Sequence, residues 1–125
     1  MRSSKKTKSD LERYFIISSI LLIIVLSLGA IASASAAETT CTPSNLAVFD
    51  NRVHVKCAES VGGIQYFAIS TADSAKAARV LSVINSAIVT GRPLFIFYDP
   101  ADTSGDSIGC QSNDCRIIDA IGFWQ

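Results

Sequence analysis

The sequence predicts a small, mostly β domain with one helix, an OB-like antiparallel barrel whose elements run strand, strand, helix, strand, strand. Three observations carry this expectation. Short apolar segments alternate with polar ones from residue 46 onward. A single stretch, residues 73–90, has apolar residues at helical spacing. Turn-forming residues separate the segments: Gly62-Gly63, Gly91 with Pro93, and a polar run from Asp99 to Asp114.

The first third of the chain reads differently. Residues 1–14 carry Arg2, Lys5, Lys6, Lys8 and Arg13 against Asp10 and Glu12, and an apolar run follows from Phe15 to Ala32. Small residues come next, with Ala34-Ser35-Ala36 in an A-x-A pattern. This order is that of a secretory signal peptide, so residues 1–36 are expected to be removed and 37–125 to form the domain. Cleavage after Ala37 fits nearly as well. An uncleaved anchor is the competing reading, because the apolar run approaches the ~18 residues that can span a bilayer. The basic flank precedes the run, so the remainder is translocated in either case.

Residues 37–125 hold six Lys and Arg against nine Asp and Glu, a net charge of −3. A mildly acidic domain is a poor binder of phosphate backbones, so nucleic acid is not an expected partner. All four cysteines, Cys41, Cys57, Cys110 and Cys115, lie in this part. An even count in a short exported chain reads as two disulfides. Zinc would require close cysteine pairs or added histidines, and only Cys110 and Cys115 are close. Three pairings are open. A continuous strand over 46–56 would hold Cys41 and Cys57 more than ~30 Å apart. The expected links therefore run from those two cysteines into the 110–115 loop.

Each element has its local reason. Residues 37–45 are rich in Thr, Ser, Pro and Asn and read as an irregular lead-in. Residues 46–57 read as a strand, with Val53 and Val55 on one face and Arg52, His54 and Lys56 on the other. Asp50-Asn51 in its middle marks a bulge or a turn into two shorter strands. Residues 58–63 form a turn, and 64–70 form a strand apolar on both faces. In the helix, Asp73 or Thr71 caps the start. Ala77, Val80, Leu81, Ile84, Ala87 and Ile88 face the core. Gly91 caps its end, and Pro93 prevents continuation. Residues 94–98 form a buried strand, with Phe95 and Phe97 core by alternation and Tyr98 on the other face. Residues 99–114 form a polar loop, and 116–124 form the last strand.

Catalytic chemistry is not legible. The one histidine, His54, lies between Arg52 and Lys56 and reads as a surface residue. No nucleophile elbow, zinc-protease motif or Gly-rich phosphate loop occurs, so no enzymatic activity and no cofactor are expected. The loop aspartates lack the order of a calcium loop, so no metal site is expected. Tyr98 is the best candidate for binding, because a ring with a hydroxyl at a strand end can both stack and hydrogen-bond.

A resemblance bears on this. The segment "NSAIVTGRPLFIFYDP", Asn85 to Pro100, resembles the helix-to-strand segment of the binding subunits of subtilase-cytotoxin and typhoid-toxin type. Gly63–Ser70 resembles the preceding Tyr-Phe strand of those subunits, and Asp119–Trp124 their closing strand. The resemblance implies an OB fold, a pentameric ring, a separate catalytic subunit as partner, and binding of sialylated cell-surface glycans. It places Tyr98 in the glycan pocket, with Asp99 beside it and Ser44 as a loose counterpart of an N-terminal pocket residue. The close pair Cys110 and Cys115 precedes the last strand here, whereas the family's close pair follows it. The alternative expectation is an exported interaction or inhibitor protein without a glycan site.

Overall fold

A computed structural model describes residues 36–123. The signal-peptide assignment and Trp124 lie outside the described residues. Seven strands and one helix follow in the order β1 (Ala37–Cys41), β2 (Pro43–Val48), β3 (Arg52–Val61), β4 (Ile64–Ser70), α1 (Ser74–Thr90), β5 (Leu94–Tyr98), β6 (Cys115–Ile117) and β7 (Ala120–Phe123). The strands form two sheets, a three-stranded one in the order β1-β5-β7 and a four-stranded one in the order β2-β3-β4-β6. All pairs are antiparallel except β4 with β6, which run parallel. The architecture is therefore mostly β with one helix, in two sheets, and no ladder closes the described strands into a barrel.

Several expectations need correction. Residues 37–45 are not an irregular lead-in: Ala37 to Cys41 pair with Tyr98 to Leu94, so β5 supplies backbone partners that local composition did not suggest. At residues 46–57 the second option at Asp50-Asn51 holds: the chain turns there into two shorter strands, with Phe49 N–H donating to the Arg52 carbonyl at 2.8 Å. Thr71 holds this tip, its hydroxyl donating to Asp50 O and its amide to Asn51 O. The closing segment also divides, around Ile118, which is 1% exposed and whose amide donates to Ala68 O.

That reversal overturns the expected disulfide pairing. It sets Pro43 opposite Cys57, which brings Cys41 and Cys57 together with Cα atoms 5.1 Å apart. The bridges are Cys41–Cys57 and Cys110–Cys115, and neither links the N-terminal cysteines to the 110–115 loop. No cysteine is free. The first bridge ties β1 of one sheet to β3 of the other.

The helix forms as its capping residues dictate. Asp73 Oδ1 accepts from Lys76 N–H at 2.9 Å, and Gly91 takes a left-handed conformation with φ 68° at the end. Ala77, Val80, Ile84 and Ala87 are buried. Ile88, expected on the core face, is exposed, whereas its neighbour Ala87 is buried in the core.

On β5 the faces are the reverse of those expected. Leu94, Ile96 and Tyr98 are buried, while Phe95 and Phe97 are only partly so. Both faces of this strand are apolar, so alternation alone does not choose the inner one. The inner set packs with Cys41, Val55, Phe67, Ile84 and Ile118 in the main core. Burying each large side chain of this kind contributes about 1.5–3 kcal/mol. Phe95 instead lies over β7, where a Cβ on Gly122 would sit 2.4 Å from its ring. A side chain at Gly122 would lift the ring off the strand.

The two bridges close loops of different length, with sequence separations of 16 and 5. Loop-closure entropy then gives about 3 kcal/mol for the first and about 2 kcal/mol for the second. Replacing Cys41 and Cys57 by Ala should thus lower the denaturant-unfolding free energy more than replacing Cys110 and Cys115.

Candidate functional site

The outer face of the four-stranded sheet carries a concavity of ≈ 280 Å³ lined by Asn45, Ala47, Phe49, His54, Lys56 and Tyr66. Its layout follows from pairing and the two-residue period of strands. Asn45, Ala47 and Phe49 are alternate residues leading into and past the end of β2, and His54 and Lys56 are alternate residues of β3. Asn45 pairs with Lys56, and Lys56 with Tyr66, making one row across three strands. Ala47, His54 and Ala68 make the next row. The small Ala47 beside His54 leaves space that becomes part of the concavity, whereas Ala68 on its other side is covered.

Three rings line it. The His54 ring lies 4.9 Å from that of Tyr66 and 6.2 Å from that of Phe49. A cation flanks each end: the Arg52 guanidinium stands 3.9 Å from the Phe49 ring centroid, and Lys56 Nζ 5.6 Å from that of Tyr66. At exposed sites each such contact is worth about 0.5–1 kcal/mol, enough to orient a ring but not to hold the fold. Beyond Tyr66 the same face is covered. Ala68, Cys110 and Cys115 form a small second core with Tyr66, Ile108 and Ile117 packed against it. The covering loop is anchored by Asp114 O, which accepts from the amides of Gln65 and Tyr66. Arg116 adds side-chain donation to Pro100 O at 2.8 Å.

His54 sits at the centre. It was expected on an exposed surface but is half-buried, with Nε2 3.5 Å from Cys115 Sγ. Burial, followed by the Arg52 charge, lowers its pKa below the ordinary 6.5, and Asp114 offsets part of this. The ring is therefore mostly neutral near pH 7.

The residues singled out in the sequence are dispersed. Tyr98 is 5% exposed, lies edge-on to Phe67 at 5.2 Å, and does not line the concavity. Its expected outward face is corrected by the β5 pairing described above. Asp99 Oδ1 accepts from the Ala101 amide at 2.8 Å, which shapes the turn after β5. Ser44 is exposed at the irregularity between Pro43 and Asn45, and its hydroxyl donates to Lys56 O. It is thus next to the concavity in sequence but not part of its lining. Phe49 and Tyr66 were missed because they come from separate segments. The available signal was the polar alternation His54, Lys56 on β3, which marks the face but not its partners.

A second, larger groove of ≈ 560 Å³ runs along α1 past Ala78, Asn85, Ser86 and Val89. Among the described residues its lining belongs to one helix. It lacks polar groups converging from several elements, which small-ligand sites combine. Among the described residues no group of three or more His, Cys, Asp or Glu is arranged to hold a metal. No described helix is long and apolar enough to cross a membrane.

The position of His54 has a pH consequence. Its folded-state pKa is depressed, so the unfolded chain takes up the proton first as pH falls. The stability that the neutral ring contributes is present above pH 6.5 and is lost as pH falls through the lower folded value. Between about pH 7.5 and about pH 5 the wild type should lose more thermal stability than His54→Gln. Equal losses in melting scans of the two proteins would remove His54 as the cause.

No protein-family model matches the chain, and no curated protein or solved structure matches it either.

Proposed function

We propose that this chain is an exported carbohydrate-binding module of the small toxin-binding-subunit type, with an OB-like fold and no catalytic activity of its own. The observation that carries the reading is the concavity over β2, β3 and β4, where three rings stand beside an amide and an ammonium. The apolar face of a sugar ring packs on an aromatic face, and Asn45 and Lys56 supply donors for its hydroxyls. A volume of ≈ 280 Å³ suits one terminal sugar rather than a long oligosaccharide. Lys56 and Arg52 also favour an acidic sugar, in keeping with the sialylated glycans that the sequence resemblance implies. The site is placed at Tyr66 rather than Tyr98, whose buried ring offers no open face. Two disulfides accord with an oxidising, secreted or periplasmic location.

A glycan array probed with the purified protein tests the reading, and sialylated glycans should lead the signals. Tyr66→Ala should weaken binding by about tenfold, since stacking and one or two hydrogen bonds are lost together. Its melting temperature should fall as well, because Tyr66 also packs against the second core, so both proteins are compared at a temperature where circular dichroism shows them folded. Absence of binding to every glycan would end the proposal.

Self-association belongs to the same reading. The outer face of α1 carries Ala78, Asn85, Ser86 and the 85%-exposed Val89, with no charged side chain among the described residues that line the groove. Uncharged small residues allow close approach of a second copy, and the resemblance implies a ring of five. Light scattering should show an oligomer, and Val89→Glu should shift it toward monomer. A wild-type monomer at micromolar concentration would exclude the ring.

A further inference from the structure

The geometry points to Arg52 as a positioning residue for this pocket: it holds the Phe49 ring as one wall and couples that wall to the turn at Ile108-Gly109 that leads into the Cys110–Cys115 bridge. The inference rests on the binding site proposed above. Phe49 and Arg52 flank the two-residue reversal at Asp50-Asn51 and face each other across it. Phe49 is 43% exposed, so packing alone does not restrict its rotamer. What lies against its face is the guanidinium, with Cζ 3.9 Å from the ring centroid.

The guanidinium is itself fixed from the other side. Its Nη1 donates to Ile108 O at 2.6 Å and to Asn51 Oδ1 at 3.3 Å. Gly109 closes over it with φ 83°, and a Cβ there would stand 2.7 Å from Nη1. The loop backbone thus approaches the cation as only glycine permits. Nε is buried and has no hydrogen-bond partner among the described residues. The flat guanidinium makes this stack, whereas a lysine ammonium would not fill the same slot. Ring, cation and loop carbonyl therefore form one layered unit. Its outer surface is the wall beside His54.

The experiment compares wild type with Phe49→Ala, Arg52→Lys, Arg52→Ala and the double variant Phe49→Ala/Arg52→Lys. Affinity is measured for the strongest array glycan, and His54 ring-proton shifts are measured by NMR in the unliganded proteins. Arg52→Lys should weaken binding by roughly fivefold, matching Phe49→Ala, and the double variant should lose no more than Phe49→Ala alone. The His54 protons should move in the same direction in all the variants as the Phe49 ring leaves its place. Arg52→Lys that binds as wild type, or losses that multiply in the double variant, would overturn the assignment. A purely stabilising Arg52 would lower the melting temperature with affinity intact, and that also overturns it. If Arg52→Ala fails to fold, Arg52→Lys carries the comparison. If wild type binds no glycan, the proposed function fails. The His54 shifts then decide the Arg52 assignment alone, and unmoved shifts in Arg52→Lys refute it.

Discussion

The passage of the chain between the two sheets at Thr42, held by the Cys41–Cys57 bridge, is the constraint on which the rest depends. Cys41 ends β1 in the three-stranded sheet, and Pro43 begins β2 in the four-stranded one. One residue separates them. Such a short connection forces the sheets together at this corner, and the bridge ties Cys41 to β3 where Cys57 faces Pro43. Both sulfurs lie in the main core with Phe67, Leu94, Ile96 and Tyr98. A domain this small has limited apolar area to bury, so a covalent link inside the core offsets part of the chain entropy lost on folding.

The two faces of the four-stranded sheet then divide the work. The inner face, through Val53, Val55, Phe67 and Ile69, meets the helix and the opposite sheet. The outer face is shared. The loop after β5 covers one part of it, around Ala68 and the Cys110–Cys115 bridge, and leaves the other part open around His54. The parallel pairing of β6 with β4 follows from this loop, because a strand that returns parallel needs a crossing segment between β5 and its own start. The same loop contributes the carbonyl of Ile108 and the backbone of Gly109 to the setting of Arg52. The cover and the open site are consequently parts of one surface, joined through a single side chain.

Electrostatics at the open site follow from placement rather than net charge. The domain is mildly acidic, yet among the described residues no carboxylate lines the concavity. Lys56 lines it, Arg52 stands behind Phe49, and Asp114 is near enough to His54 to oppose the effect of burial and of Arg52 on its proton. A histidine half-removed from water and near the Arg52 cation stays neutral, which preserves it as an aromatic surface and as a donor or acceptor. A net-charge argument would have directed attention elsewhere, toward the aspartates between Asp99 and Asp114. Those side chains mostly cap their own turns, as Asp99 does for Ala101, Asp102 for Ser104 and Asp106 for Ser112.

Local signals in the sequence by themselves determined the helix, with its Asp73 cap and Gly91 stop, and the strands 64–70 and 94–98. Each of these depends on neighbours within a few residues: a capping side chain, a left-handed glycine, or an apolar run bounded by turns. The presence of disulfides and the shared face of His54 and Lys56 were legible for the same reason. Only the tertiary structure decided which cysteines pair, which face of β5 is inner, and that Phe49, His54 and Tyr66 stand together. A reversal of two residues at Asp50-Asn51 changes the distance between Cys41 and Cys57 from a strand length to a bond. On β5 both faces are apolar, so the inner one is chosen by what packs against it, and that partner comes from β1, β4 and α1. The site is assembled across β2, β3 and β4 by strand register, a relation between distant segments that no short window of sequence contains.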